Sequence, residues 1–240
     1  MKYKITHNFT YAYDSPVRLS TQYLRLTPRD TSRQKVLEWK LATPGPALRT
    51  TDGYGNVLHV LTIDKPMSQI AIHAAGTVQT SAVVDEPSDF TGTPLSPLLF
   101  LRATGLTRAD DTQRALAEKF RGQAGTHAGL RELAAAVPKN GSAADAAHTL
   151  IACCRYLGVP ARYVSGYRYD EQVAMHAWVE AWVEERWHSF DIAQANPIGE
   201  AHIKIAIGAD YLDACPVRGV RIGGGTETLV AEANVEASQQ

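Results

Sequence analysis

The hydrophobic period of this chain changes near residue 84, and that change limits the folds the chain can adopt. In the first 83 residues apolar and polar side chains alternate, with many Thr, Val, Tyr and Ile residues, as in YKITHNFTYAY and QIAIHAAGTVQT. A period of two is typical of half-buried β-strands. Turn sequences such as DSP and TPGP separate the runs. Residues 1–84 are therefore predicted to form an N-terminal antiparallel β-sandwich domain.

Residues 85–107 are predicted to form a linker. The stretch EPSDFTGTPLSP is rich in Pro, Ser and Thr and has no hydrophobic period, as expected of a connection between domains. Beyond it, DDTQRALAEKFRGQ and HAGLRELAAAV carry apolar residues at helical spacings, and strands resume with ARYVSGYRY. We therefore expect an α+β protein with a second domain over residues 108–222 and a C-terminal strand and tail over 223–240.

One predicted helix of the second domain has clear signals at both ends. Ser142 is a good N-cap, Asp145 can complete a capping box, and Gly158 followed by Pro160 stops the helix. Backbone N–H groups at the start of a helix lower the pKa of a thiol and can stabilise an oxyanion. The start of this helix is therefore where a catalytic nucleophile is expected.

A histidine and an aspartate form the second candidate feature. His176 opens HAWVEAWVE and Asp191 ends WHSFD, and a bend between Val183 and Arg186 predicts that the two runs are adjacent antiparallel strands. Neighbours across such strands have Cβ atoms about 4.5–5.5 Å apart, so Asp191 is expected to accept a hydrogen bond from His176. This is the base-and-orienter half of a catalytic triad.

Composition excludes several other functions. The 24 Lys and Arg residues balance 25 Asp and Glu residues without basic clusters, which argues against a nucleic-acid partner. The chain has neither an apolar run long enough to span a membrane nor a signal-peptide pattern at its start, so a cytoplasmic location without membrane contact is expected. The spacing of His148, Cys153, Cys154 and Cys215 matches no usual metal-ligand pattern, and neither a metal nor a cofactor is expected.

A family resemblance joins the two candidate features. The run GSAADAAHTLIACCRYLGVPARYVSGY, followed by HAW and FD, resembles the core of bacterial transglutaminase-like proteins, which are also described as cysteine-protease-like. The opening β-region and ACPVRGVRIGGG resemble the same family, so the resemblance covers nearly the whole chain. The family helix begins Gly-x-Cys-x-Asp, which aligns with the run from Gly141 to Asp145. The resemblance thus implies a papain-like core in which Ala143, His176 and Asp191 occupy the Cys, His and Asp positions.

The alanine decides the predicted function. Family members would attack a glutamine or peptide carbonyl through an acyl-thioester, which cannot form without sulfur. The segment before the helix is also shorter than in relatives, and IAQAN stands where a Thr/Ser-Asn pair commonly follows the aspartate. The shortened segment, together with the neighbouring Ala144, which also departs from the family, favours natural loss of the cysteine, and the chain is predicted to be catalytically silent.

Three alternatives remain at this point. The chain could be a module that binds a peptide, an amide-containing ligand or a protein partner in the retained cleft. It could be a hydrolase in which His176 and Asp191 activate water. It could also be an active cysteine amidase or acyltransferase in which alanine was engineered in place of cysteine. The family resemblance further implies a partner of the peptide-ligase type.

Overall fold

The computed structural model describes residues 1–81, 95–169, 174–193 and 198–237. Part of the predicted linker, residues 85–94, lies outside these ranges. The α+β class and the antiparallel N-terminal β-region are confirmed, and the strands of that region form a single curled sheet. Along the chain its first strands are β1 (Lys2–Thr27), β2 (Gln34–Ala42), β3 (Ala47–Thr51), β4 (Val57–Ile63) and β5 (Met67–Thr80).

Two C-terminal strands complete this sheet. Strands β10 (Val217–Gly223) and β11 (Glu227–Ala237) both pair antiparallel with β1, so the end of the chain returns to its beginning. The predicted second domain, 108–222, includes most of β10, whereas the hydrogen bonds of β10 join it to the N-terminal sheet. Alternation identifies a strand but does not specify its neighbour. This explains why the sequence pattern did not give the pairing.

The core contains a smaller sheet and the helices. The sheet has the order β8-β7-β6-β9, with β6 (Ala161–Arg168), β7 (Ala174–Val183), β8 (Arg186–Phe190) and β9 (His202–Gly208). The helices are α1 (Asp111–Glu118), α2 (His127–Ala136), α3 (Ala143–Tyr156) and the short α4 (Tyr211–Ala214), preceded by a 3₁₀ helix over Pro97–Leu101. Helix α3 packs on β6 and β7. In the described ranges, the helices are too short or too polar to cross a bilayer.

The two sheets share apolar packing. Tyr3 and Ile5 of β1 are buried in the same cluster as Leu130 of α2, Leu150 of α3 and Val179 of β7. Burying apolar surface stabilises the folded state by about 25 cal/mol per Å². The N-terminal sheet therefore contributes to the stability of the core that carries the candidate site.

A buried charge cluster links all four strands of the core sheet. The Glu180 carboxylate accepts a hydrogen bond from Arg162 Nε at 2.7 Å and forms an ion pair with Lys204 Nζ. It also accepts a hydrogen bond from the Ser189 hydroxyl at 3.3 Å. Arg162 also stacks over the Trp187 ring, with its guanidinium carbon 4.0 Å from the ring centroid. Glu180 is 1% exposed and Lys204 is 4% exposed. Removing one member of such a cluster leaves uncompensated charge in the interior.

Candidate active site

Helix α3 begins where the sequence predicted. The Ser142 hydroxyl accepts from the Asp145 backbone N–H at 3.1 Å, and the Asp145 carboxylate accepts from the Ser142 backbone N–H at 3.1 Å. This reciprocal pair is the predicted capping box. It makes Ala143 the first helical residue, half-buried against the apolar cluster of the core. The nucleophile position implied by the family motif is thus at a helix N-terminus and carries a methyl group.

The β7–β8 hairpin positions the other two predicted site residues. The strands pair antiparallel around a two-residue turn at Glu184 and Glu185, both with positive φ, close to the predicted bend. This pairing brings His176 Nε2 to 2.8 Å from Asp191 Oδ2. The predicted hydrogen bond between the two residues is present. The Asp191 side chain is fully buried and that of His176 is 13% exposed.

A second histidine, which sequence reasoning did not select, completes the cluster. His202 lies at the start of β9, and its Nε2 is 3.0 Å from the same oxygen, Asp191 Oδ2. It is 3% exposed. In the sequence it opens the run HIKIAIG, where alternation reveals a strand but gives no sign that its first residue lies near Asp191.

Hydrogen-bond partners fix the proton positions in this cluster. A carboxylate oxygen only accepts, so both Nε2 atoms carry hydrogen and donate to Asp191. The Gly199 backbone N–H donates to His202 Nδ1 at 3.3 Å, which requires a lone pair on that nitrogen. His202 is therefore the neutral Nε2–H tautomer. A neutral His176 likewise keeps its lone pair on Nδ1, the form that a general base needs.

Burial and hydrogen bonding set the charges of the cluster. Burial opposes ionisation of the Asp191 carboxyl, but the hydrogen bonds from His176 and His202 outweigh it and lower the pKa. Burial lowers the pKa of His202, and the bond to Asp191 offsets only part of that effect. At neutral pH the cluster is thus one carboxylate with neutral His202 beside it.

Trp178 and Gly166 pack next to the histidines of the cluster. The Trp178 ring lies edge-on to the His202 ring, with centroids 5.6 Å apart, and 6.4 Å from that of His176. Gly166 pairs with His176 across β6 and β7, and a Cβ there would lie 2.2 Å from Ile203 O and 2.6 Å from Trp178 Cη2. A glycine is therefore needed at this position, because a side chain there would collide with the backbone of β9 and with the Trp178 ring.

His176, Asp191 and His202 are close enough together to be considered as metal ligands. Their ligand atoms lie within 4.8 Å of one another, and two histidines with one carboxylate can bind transition metals. A histidine ligand must present a lone pair, whereas the contact from Gly199 makes Nε2 of His202 the protonated nitrogen. The three side chains therefore fit a carboxylate held by two histidine hydrogen bonds better than a metal centre.

The three cysteines and His148 have structural surroundings. Cys153 and Cys154 are buried, and burial raises the pKa of Cys153 to about 11. Cys215 is buried as well. The Nε2 atom of His148 accepts from the Tyr211 backbone N–H at 3.1 Å, at the start of α4. Of the IAQAN run, residues 194–196 lie outside the described ranges.

Comparison with known proteins identifies the two parts of the chain. Residues 3–79 match the bacterial transglutaminase-like N-terminal region, and residues 103–192 match the transglutaminase-like superfamily core. An uncharacterised protein of Mycobacterium leprae is 26% identical, over 94% of this chain and 95% of its own length. One of Mycobacterium tuberculosis is 27% identical, over 98% of this chain and 92% of its own.

A solved structure has the same fold. The crystal structure of a "Putative Cysteine Protease" from Cytophaga hutchinsonii superposes with a TM-score of 0.76, covering 100% of this chain and 92% of that one. The two sequences are 22% identical, so the likeness concerns the fold. It agrees with the papain-like core implied by the motifs. The chain therefore belongs to the transglutaminase-like superfamily, with a bacterial transglutaminase-like N-terminal region in front of its core.

Proposed function

We propose that this chain is a catalytically silent transglutaminase-like protein that keeps the base and orienter of a Cys-His-Asp site without its nucleophile. In this proposal Ala143 stands at the cysteine position, His176 is the base, and Asp191 is the orienter. The observation that carries it is the 2.8 Å hydrogen bond between His176 and Asp191 in a chain whose motif cysteine is alanine. The family motif supplies the link between this pair and the start of α3.

The chemistry of an acyl-enzyme requires an atom that attacks the carbonyl. A thiolate does this in cysteine enzymes and becomes a thioester, and a methyl group cannot. Ser142 does not replace it, because its hydroxyl donates to Asp145 Oδ2 at 2.7 Å and accepts from the Asp145 N–H. Cys153 lies ten residues along α3, about 15 Å from the helix start at about 1.5 Å per residue. The proposal therefore predicts neither hydrolysis nor transfer of amides.

Restoring the thiol with Ala143→Cys tests the assignment. A cysteine at a helix N-terminus beside a histidine has a lowered pKa, from about 8.5 towards 7 or below. We expect iodoacetamide to label residue 143 at pH ~6.5 at least about tenfold faster than the buried Cys153, Cys154 and Cys215. Mass spectrometry of digested protein measures each rate.

Two control variants make that result specific. Ala144→Cys places a thiol one residue further on, also half-buried but about 100° around the helix, where His176 should not affect it. Adding His176→Ala should abolish the advantage at position 143 and leave the rate at 144 unchanged. If residue 143 labels no faster than residue 144, or ignores the loss of His176, the Cys-His assignment is wrong for this chain.

A cavity beside the start of α3 favours a second function, the binding of a peptide or another amide-containing ligand. It has a volume of about 540 Å³ and lies between α1 and α3. Its wall combines apolar Leu116 and Ala146 with polar Asn140, Asp145 and Thr149. Small-molecule sites are typically concave, largely apolar and within about 300–1,000 Å³. Binding there needs no nucleophile.

Filling the cavity tests this second function. Ala115 is exposed and lines the cavity, so Ala115→Trp should occupy its mouth without disturbing the core. Arg131→Trp, on the exposed face of α2 and outside the cavity wall, is the matched control. In NMR titrations with glutamine-containing peptides, we expect shifts at Gly141 and Asp145 that only Ala115→Trp weakens, by about tenfold in Kd. Equal binding by both variants would exclude the cavity as the site.

A further inference from the structure

We propose that His202 is a positioning residue of the candidate site, which holds the Asp191 carboxylate in the orientation that His176 needs. The inference rests on the proposed function, because it concerns the same site. It adds a residue outside the Cys-His-Asp triad. His202 is buried and contacts Asp191, so it can act through Asp191 without touching a substrate.

A directional chain of hydrogen bonds supports this role. The Gly199 N–H donates to His202 Nδ1, and His202 Nε2–H then donates to Asp191 Oδ2. The backbone thus fixes the tautomer of His202, and His202 in turn offers its hydrogen to the carboxylate. The oxygen that accepts it is the one that accepts from His176. Rotation of the carboxylate would break both hydrogen bonds. The two bonds together therefore keep Oδ2 oriented towards His176.

The position of Asp191 in the core sheet shows what this contact connects. Asp191 follows the last residue of β8, so the β7–β8 ladder does not extend to it. His202 belongs to β9, at the other edge of the core sheet, where β6 separates it from β7. The carboxylate therefore links β7 and β9 through their two histidines. Holding a catalytic group to within about 0.5 Å requires supporting hydrogen bonds of this kind.

A purely space-filling role is the alternative explanation of His202. Its ring contacts Trp178, and packing alone could account for that contact. Two substitutions separate the explanations. His202→Phe keeps an aromatic ring beside Trp178 and removes the donor, whereas His202→Gln places an amide N–H close to where Nε2–H was. Only a positioning role predicts that His202→Gln keeps the orientation of the Asp191 carboxylate that His202→Phe loses.

The first measurement uses the protein with its natural Ala143. Long-range ¹H–¹⁵N spectra of the imidazoles should show His202 as the neutral Nε2–H tautomer, and the His176 Nε2–H should exchange slowly with water. We expect exchange of that hydrogen to accelerate about tenfold or more in His202→Phe and to stay within about threefold of the parent in His202→Gln. Thermal unfolding of each variant verifies that it is folded.

The second measurement adds the same substitutions to Ala143→Cys. The labelling rate of residue 143 at pH ~6.5 should fall about tenfold with Phe and recover with Gln, because a misplaced base activates the thiol less. Unchanged exchange at His176 in His202→Phe would overturn the inference. An Nδ1–H tautomer of His202 would also overturn it. So would a shift of both imidazole signals on addition of one equivalent of Zn²⁺, because either result would show different proton positions.

The two measurements separate this inference from the proposed function. A slowly exchanging His176 hydrogen that depends on a donor at position 202 supports the positioning role, even if Ala143→Cys proves unreactive. In that case the nucleophile assignment alone would fail. Conversely, a reactive thiol at 143 that is indifferent to both His202 variants would keep the proposed function and reject the positioning role.

Discussion

Replacing Glu180 with Gln is expected to lower the free energy of unfolding by about 3–5 kcal/mol. The carboxylate lies between Arg162 and Lys204, and all three side chains are almost completely buried. Gln has nearly the same shape, so packing is preserved while the negative charge is lost. Two cations then remain in the interior without that counter-charge, which is the costly outcome for a buried ion cluster.

Urea unfolding followed by circular dichroism measures this effect. Glu185→Gln is the matched control, because Glu185 is an exposed residue of the same β7–β8 hairpin, and its charge should be worth less than about 0.5 kcal/mol. A loss below about 1 kcal/mol for Glu180→Gln would mean that the arginine and lysine have sufficient alternative partners. The charge cluster would then not be a main determinant of stability.

Local signals predicted the parts of the site that depend on neighbours in sequence. The capping box follows from Ser142 and Asp145, three residues apart, and α3 has this box. The bond between His176 and Asp191 follows from a hairpin, since a short turn fixes the register of the two strands. In both cases a few consecutive residues determine the geometry.

The sequence could not predict contacts that depend on the order of strands in a sheet. His202 reaches Asp191 because β9 lies beside β6, and Lys204 reaches Glu180 for the same reason. The pairing of β10 and β11 with β1 is a second example. Alternating hydrophobicity is the same whichever strand lies next to it, so these contacts appear only in three dimensions.

Acid is expected to destabilise this protein well above the range in which carboxylates titrate, and His7 is the principal cause. His7 is 1% exposed on β1, its Nδ1 lies 2.9 Å from the Tyr167 hydroxyl of β6, and burial lowers its pKa to about 4. The unfolded chain binds a proton at His7 below about pH 6.5, whereas the folded protein does not until about pH 4. Protonation therefore favours the unfolded state throughout that interval.

The size of this effect follows from the two pKa values. Between pH 7.5 and 4.5, His7 alone should remove about 2.5 kcal/mol from the free energy of unfolding. Buried His202 contributes in the same direction, because burial lowers its pKa too. Asp191, whose pKa is lowered, adds a loss that begins as pH falls below about 4. Stability should thus decline steadily from near-neutral pH.

Substituting His7 with Asn isolates its share. Asn cannot titrate, and its side-chain amide can either donate to or accept from the Tyr167 hydroxyl. The change in the free energy of unfolding over the interval should therefore be smaller by about 2.5 kcal/mol. The absolute stability at pH 7.5 will also fall because the smaller side chain leaves a void, but a void does not depend on pH. His73→Asn, at an exposed position of β5, is the matched control. If His7→Asn retains the parental pH dependence in urea unfolding, His7 is protonated in the folded protein and its burial does not govern the acid response.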